Sequence, residues 1–222
     1  MRRKAIKILK NLLDFIWPQF CLGCQREGSL CCGYCLNDIL LVEPKAITWP
    51  DEDKKYFDAC FICCEYQNKL LQKIIKQYKY SYLENLSSVL TNILERQARQ
   101  LALGKNTIIS NVPLHKNKKR QRGFDQTEII AKQLARQLDL QYQPLLKRVR
   151  ATKTQAQLSK QQRMNNVADV FELLPAGGAS AAGHNILLID DITTTGSTLN
   201  QAAKALKNGP YGQIIALAIA KN

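Results

Sequence analysis

The chain has 222 residues, a formal net charge of +14 and an isoelectric point near 9.5. That is enough length for one compact α/β domain with a substantial core and a smaller additional unit, and no segment is long and apolar enough to cross a bilayer, which excludes a membrane-spanning protein. Half of the 32 Lys and Arg residues fall in three segments without an acid, 1–10, 115–122 and 147–163; clustering of this kind points to a polyanion, either nucleic acid or a substrate carrying pyrophosphate.

The first predicted element is the helix in "KAIKILKNLLDFIW", with Ile8, Leu9, Leu12, Leu13 and Ile16 on one face and lysines opposite. Such a stripe is expected to dock on its own domain, with a peripheral contact with a membrane surface as the alternative. It lacks an uninterrupted apolar region and a small-residue cleavage site, so it does not read as a secretory signal, and a cytoplasmic location is expected. In a reducing compartment thiols serve metals or packing more often than disulfides. Cys21-x-x-Cys24 and Cys32-x-x-Cys35 have the spacing of a four-thiolate zinc knuckle, with Cys31 an alternative to Cys32. A segment so poor in large apolar residues is expected to owe its folding to the metal. Cys60, Cys63 and Cys64 lie in an apolar, strand-like run and read as small buried hydrophobes.

The polar stretch "EPKAITWPDED" reads as a connection, dividing residues 1–50, helix and knuckle, from a main domain at 51–222. A strand is expected over 59–66, then amphipathic helices in "NKLLQKIIKQYKY" and "YLENLSSVLTNILERQARQLAL", the second ended by Gly104. "TIISNVPLH" reads as a core strand running into a basic loop. Asp125 and Glu128 resemble a capping box for the helix carrying Ile130, Leu134 and Leu138. "PAGGASAAGH" reads as a loop or hairpin.

The last stretch, "LLIDDITTTGSTLNQA", carries the most chemistry. Ile186 to Ile189 has the apolar, β-branched character of a strand buried on both faces of a parallel sheet. Asp190 and Asp191 follow at its carboxyl end, where open α/β sheets place their ligands. Thr193, Thr194, Thr195, Gly196, Ser197 and Thr198 then lead into a helix with an Ala/Leu stripe, so free amides and the positive end of the helix dipole face the loop. A phosphate suits the loop but not the carboxylates. A sugar phosphate satisfies both, with hydroxyl groups and Mg²⁺ over the acids and the phosphate in the loop. The pattern is neither a Walker loop nor a G-x-G-x-x-G turn.

"LLIDDITTTGSTL" resembles the 5-phosphoribosyl-1-diphosphate (PRPP) motif of type I phosphoribosyltransferases. Taken in order with "CLGCQREGSLCCGYC", "VPLHKNKKRQRGFDQTE" and "KTQAQLSKQQRMNNVADVF", it is similar to the pattern of the ComF family of competence-associated proteins, from about Phe20 to the end. The resemblance implies an open, mostly parallel sheet with flanking helices and a small N-terminal zinc knuckle. It implies that Asp190 and Asp191 hold the ribose hydroxyls of PRPP, that residues 194–198 bind its 5′-phosphate, and that Mg²⁺ bridges ribose and pyrophosphate. The loop holding Leu114 and His115 would grip the pyrophosphate through backbone amides, aided by Arg120 and Arg122, and the basic segment 150–166 would close over it. Lys118 and Lys119 are expected outside that grip. Any acceptor-binding hood must come from the first hundred or so residues, and nothing there resembles a nucleobase pocket. Two readings follow: an enzyme transferring ribosyl phosphate, including a salvage-type transferase, and a single-stranded DNA-handling factor of DNA uptake with a helicase partner and PRPP as a regulatory ligand.

Overall fold

The computed structural model describes residues 19–39, 41–47, 55–80, 85–150, 170–175 and 181–222. The expected N-terminal amphipathic helix, residues 151–166 of the basic segment and residues 176–180 of the expected 175–184 loop lie outside the described residues. In chain order the elements are α1 (Gly33–Asn37), β1 (Ala59–Glu65), α2 (Lys69–Tyr80), α3 (Leu86–Ala98), β2 (Thr107–Asn111), α4 (Lys116–Arg122), α5 (Gln126–Leu138), β3 (Gln141–Tyr142), β4 (Leu146–Arg148), β5 (Phe171–Leu173), β6 (Asn185–Thr193), α6 (Ser197–Leu206) and β7 (Ile214–Lys221).

Five strands form one parallel sheet in the order β1-β7-β6-β2-β3, so the strand carrying the two aspartates is central. The α/β class expected from the sequence is the one that forms. The period of two along each strand sorts side chains between two cores. On β6, Leu187 and Ile189 join α2, α3 and α5 on one face. Ile186 and Leu188 join α6 and the short antiparallel pair β4-β5 on the other. Both faces of the sheet are therefore covered, and that is why these strands read as unbroken apolar runs. Cys60, Cys63 and Cys64 are fully buried, as expected of small apolar side chains.

Three details differ from the sequence reading. α3 ends at Ala98 rather than near Gly104, closing in a turn in which the Leu101 amide donates to the Ala98 carbonyl. The basic run after β2 is not a loop but the short helix α4. Its residues are good helix formers, His115 Nδ1 accepts from the Asn117 amide at its start, and Gly123 takes the left-handed conformation at its end (φ 77°) that side chains disfavour. Finally, β6 does not stop at Ile189. Its pairing with β2 ends there, but its pairing with β7 continues through Asp190 and Ile192 to Thr193.

The knuckle sits on the core that holds α2 and α3: Leu22, Leu30 and Leu36 pack against it, and Ile39 is buried in it. The chain then runs beside β1, where the Val42 and Ile47 amides donate to the Cys63 and Cys60 carbonyls at 2.8 Å each. These bonds satisfy carbonyls on an edge strand that would otherwise stay open to pairing. No helix among the described residues is long and apolar enough to cross a membrane.

Candidate functional site

The early end of β2 pairing exposes the last part of β6. Where β2 turns away after Asn111, Asp190 and Asp191 face the gap, and the loop to α6 begins just beyond them. Asp190 is buried, and one of its oxygens accepts the Asp191 amide at 2.8 Å. Loss of solvation and the neighbouring Asp191 charge push its pKa up to about 8, against the opposing pull of that amide, Lys79 and Arg148. Asp191 accepts its own neighbour's amide, that of Ile192, at 2.6 Å, and its other oxygen holds the Lys79 ammonium at 2.6 Å. Both side chains of that pair are only 16% exposed, so it is a half-desolvated pair rather than a surface one.

Lys79 comes from the end of α2, far earlier in the chain. Two further cations share the space. Lys118 of α4 is half-buried, and its pKa is lowered by burial and by the charges of Arg148, Arg122 and Lys79, with Asp191 opposing. Arg148 of β4 feels Asp190 and Asp125, and burial lowers its pKa. Lys79, Lys118 and Arg148 thus share the field of the two aspartates, with Arg122 beside Lys118, and the excess of positive charge suits a ligand carrying several negative charges.

The loop after the aspartates divides in two. Thr193 is buried within β6, paired with Lys221, and its carbonyl accepts the Asn222 amide. Thr194, Thr195, Ser197 and Thr198 are half-buried, and the Thr195 and Ser197 hydroxyls bond each other at 2.6 Å. Gly196 is buried in the left-handed conformation (φ 80°), where a side chain would be strained, and no side chain caps α6. The Ser197 amide donates to the Thr195 hydroxyl at 3.4 Å, and the start of a helix at the carboxyl end of a central strand is a place where anions bind.

The grip expected from the 114–122 segment is rearranged. The Leu114 amide donates to Asp125 Oδ2 at 2.9 Å, and His115 is buried as the cap of α4. Asp125 also accepts from Thr127 and from the Glu128 amide, so this buried carboxylate ties the end of β2 to the start of α5. Arg120 is exposed, while Arg122 is half-buried, bonded to Gln126 Oε1 at 2.9 Å and seated 5.3 Å above the Tyr80 ring. Lys119 is held by Glu128 at 2.9 Å, whereas Lys118 shares the field of Asp191. Lys79, which the sequence reading passed over, gives no local signal because its partner is reached only through the fold. The closing role expected of 150–166 lies, from residue 151 onward, outside the described residues.

At the other end of the chain the sulfurs of Cys21, Cys24, Cys32 and Cys35 lie within 4.8 Å of one another. Cys24 and Cys32 are 3.6 Å apart, and the Cys32 amide points at the Cys21 sulfur from 3.4 Å. Cys31 turns its sulfur to the Cys32 carbonyl and stays outside the group, so folding selects Cys32. Amides of Cys32, Cys24 and Gly23 hold Cys21 down at about 6 although burial opposes them, which favours the thiolate that metals require. Gly23 is needed for closeness: a Cβ there would lie 2.8 Å from the Cys35 sulfur. These four residues could hold one metal ion.

Residues 127–222 match the family described as Phosphoribosyl transferase domain. Competence protein F of Haemophilus influenzae is 28% identical over 194 residues, 84% of this chain and 83% of its own length. The DNA utilization protein YhgH of Escherichia coli is 33% identical over 146 residues, 63% of this chain and 62% of its own, and Competence protein ComFC of Bacillus subtilis is 26% identical over 139 residues. These matches support a ComF-family protein. It spans 62% of YhgH and 54% of ComFC. Among solved structures it is similar to the adenine phosphoribosyltransferase of Leishmania tarentolae, at a TM-score of 0.42 and 9% identity over 77% of this chain and 94% of that one. In this chain the matched region carries α5, β6, the loop and α6, while Lys79, Lys118 and Arg122 reach the site from segments before residue 127.

Proposed function

We propose that this chain binds PRPP at the end of β6 and acts in handling single-stranded DNA during uptake. The observation that carries the reading is the pairing of two carboxylates with a glycine-started helix at one strand end, with Lys79, Lys118 and Arg148 in their field. Asp190 and Asp191 take the ribose hydroxyls, and the amides and hydroxyls from Thr194 to Thr198 take the 5′-phosphate. Lys118, Arg122 and Arg148 face the pyrophosphate. Asp190, neutral or ionised near pH 7, can donate or accept a hydrogen bond to a hydroxyl as the ligand requires.

Two adjacent carboxylates are hard oxygen donors, and Mg²⁺ is commonly held by one or two such groups together with ligand phosphates. The set fits that use, and the ion would supply charge neutralisation on pyrophosphate. The chain's own residues do the rest by position and charge: they orient the ribose, hold the phosphate and offer cations to a departing anion, without a covalent nucleophile. The cysteine group is proposed to hold one structural zinc, because four thiolates close a tetrahedral site.

The names of the relatives, competence and DNA utilization, support the DNA half of the reading. Calorimetry with PRPP and Mg²⁺ on the wild type, Asp191→Asn and Gly196→Val tests the other half. Binding that is lost in both variants is expected, and equal affinity in all three would reduce the loop to a helix start. Pyrophosphate release with nucleobases and DNA, followed in the same samples, distinguishes a transferase from a ligand-regulated DNA factor. Release that needs one small base and no DNA would favour a salvage-type enzyme instead.

A further inference from the structure

Along α2 the two faces differ completely. Leu71, Ile74, Ile75 and Tyr78 are buried in the core, while Lys69, Lys73 and Lys76 are exposed on the opposite side, one helical turn apart. The helix contains no acid. Lys79, Lys119, Lys132, Lys147 and Lys207 each hold a carboxylate, whereas among the described residues none of Lys69, Lys73 and Lys76 has one. Like charges at this spacing weaken a helix. The row stays unneutralised beside a groove of about 630 Å³, which it lines together with Lys79, Tyr66 and Tyr80.

We propose that this groove is a track for single-stranded nucleic acid. The lysine pitch is about 5.4 Å, longer than the 3.4 Å per phosphate of a stacked strand in duplex DNA, so it matches a strand whose bases are pulled apart. Unstacked bases need flat partners, and the two tyrosines offer them; Tyr80 is 67% exposed. A duplex would meet no such match, and an anionic membrane is flat where this surface is concave. The apolar face of α2 is already spent in the core, so none of it is left to enter a bilayer. The groove is also continuous with the site described above. At one end Arg122 of α4 covers the Tyr80 ring, and Ile192 and Lys79, which line the groove, adjoin Asp191. A strand in the groove would therefore pass the carboxylates.

This rests on the nucleic-acid half of the proposed function and adds where the strand lies; it does not depend on PRPP. The test uses the full chain, fluorescein-labelled oligothymidylate, and the triple variant Lys69→Gln, Lys73→Gln, Lys76→Gln. The exposed substitutions should leave the melting temperature in place. A second triple variant, Lys132→Gln, Lys147→Gln, Lys207→Gln, removes the same charge from lysines already paired with acids. For single strands log affinity falls with log salt at about −0.7 per phosphate neutralised, so the α2 variant should flatten the slope by about 2 and bind roughly tenfold or more weakly at moderate salt. The second variant should change it far less. Equal losses in both variants, or none in the first, would overturn the track while leaving DNA binding in place. No oligothymidylate binding by the wild type would overturn both the track and the DNA reading. Capture by phosphatidylserine vesicles that the α2 variant alone loses, with oligothymidylate unaffected, would assign the lysine row to a membrane and overturn the proposal.

Discussion

The cysteine knuckle and the end of β6 are both clusters of groups that would repel one another without a ligand, but they are held together differently. In the knuckle the four sulfurs come from residues 21–35 alone, with one glycine making room and Leu22, Leu30 and Leu36 resting on the core of the sheet domain. At β6 the aspartates stand on a strand buried in the sheet, and the charges that offset them arrive from α2, α4 and β4. A rigid sheet can hold a carboxylate such as Asp190 in a poorly solvated place because the cost is spread over the whole fold. A small loop of four cysteines has no such sheet beneath it, and on the structural-zinc reading proposed above it would draw its stability from the metal.

If that contrast is right, the knuckle should be the more fragile of the two. Purified chain is expected to carry about one zinc, checked by elemental analysis, and structural zinc is worth on the order of 10–16 kcal/mol in small peptides. Cys21→Ser should therefore aggregate or lose the folded knuckle, and a variant that melts like the wild type would remove the structural role. Gly23→Ala, which presses on the Cys35 sulfur, should lose zinc to a chelator faster than the wild type.

The next largest effect concerns the ligand and not the fold. Gly196→Val puts a β-branched residue where φ is 80°, and Asp191→Asn removes the partner of Lys79. Both should cut PRPP affinity by about a hundredfold or more, on the scale of the 2–3 kcal/mol expected for losing a charge-assisted contact. Only the glycine variant should also lower the melting temperature measurably, since backbone strain acts without ligand.

Asp190 sharpens the comparison through pH. Its folded pKa near 8 lies above the ordinary value of 3.8. The native state thus keeps a proton that the unfolded chain has already released, and stability falls as pH rises from about 4 to about 8. Asp190→Asn should remove that slope, so urea denaturation at pH 5 and pH 8 should give a smaller difference in the variant. An identical pH dependence in both proteins would mean that the surrounding cations keep Asp190 ionised throughout.

The smallest expected effect separates neighbours. Lys118→Gln should weaken PRPP binding several-fold, because Lys118 shares the field of Asp191. Lys119→Gln should leave it unchanged, because that ammonium is held by Glu128 at the surface. Equal behaviour of the two in calorimetry would put α4 outside the site.

Much of this could be read from the chain because the relevant physics is local. The CxxC pairs, the apolar run before Asp190, the glycine in the threonine loop and the amphipathic faces of α2, α3 and α5 are all set by spacing within one segment. Where the reading slipped, the decisive contact was distant. Lys118 and Lys119 are adjacent and chemically alike in the sequence, and only the turn of α4 sends one toward Asp191 and the other to Glu128. Leu114 looked like a free amide until the fold brought Asp125 to it.

The sequence by itself determined the main strands and amphipathic helices, though not α4, that two CxxC pairs have metal-binding spacing, and that a carboxylate pair meets a helix start, because each depends on neighbours a few residues away. Only the tertiary structure decided that Cys32 rather than Cys31 joins the sulfurs, that Lys79 closes on Asp191, and that the lysine face of α2 borders the same strand end. Those outcomes follow from sheet order and helix docking, which bring together segments whose separation along the chain carries no signal of their meeting.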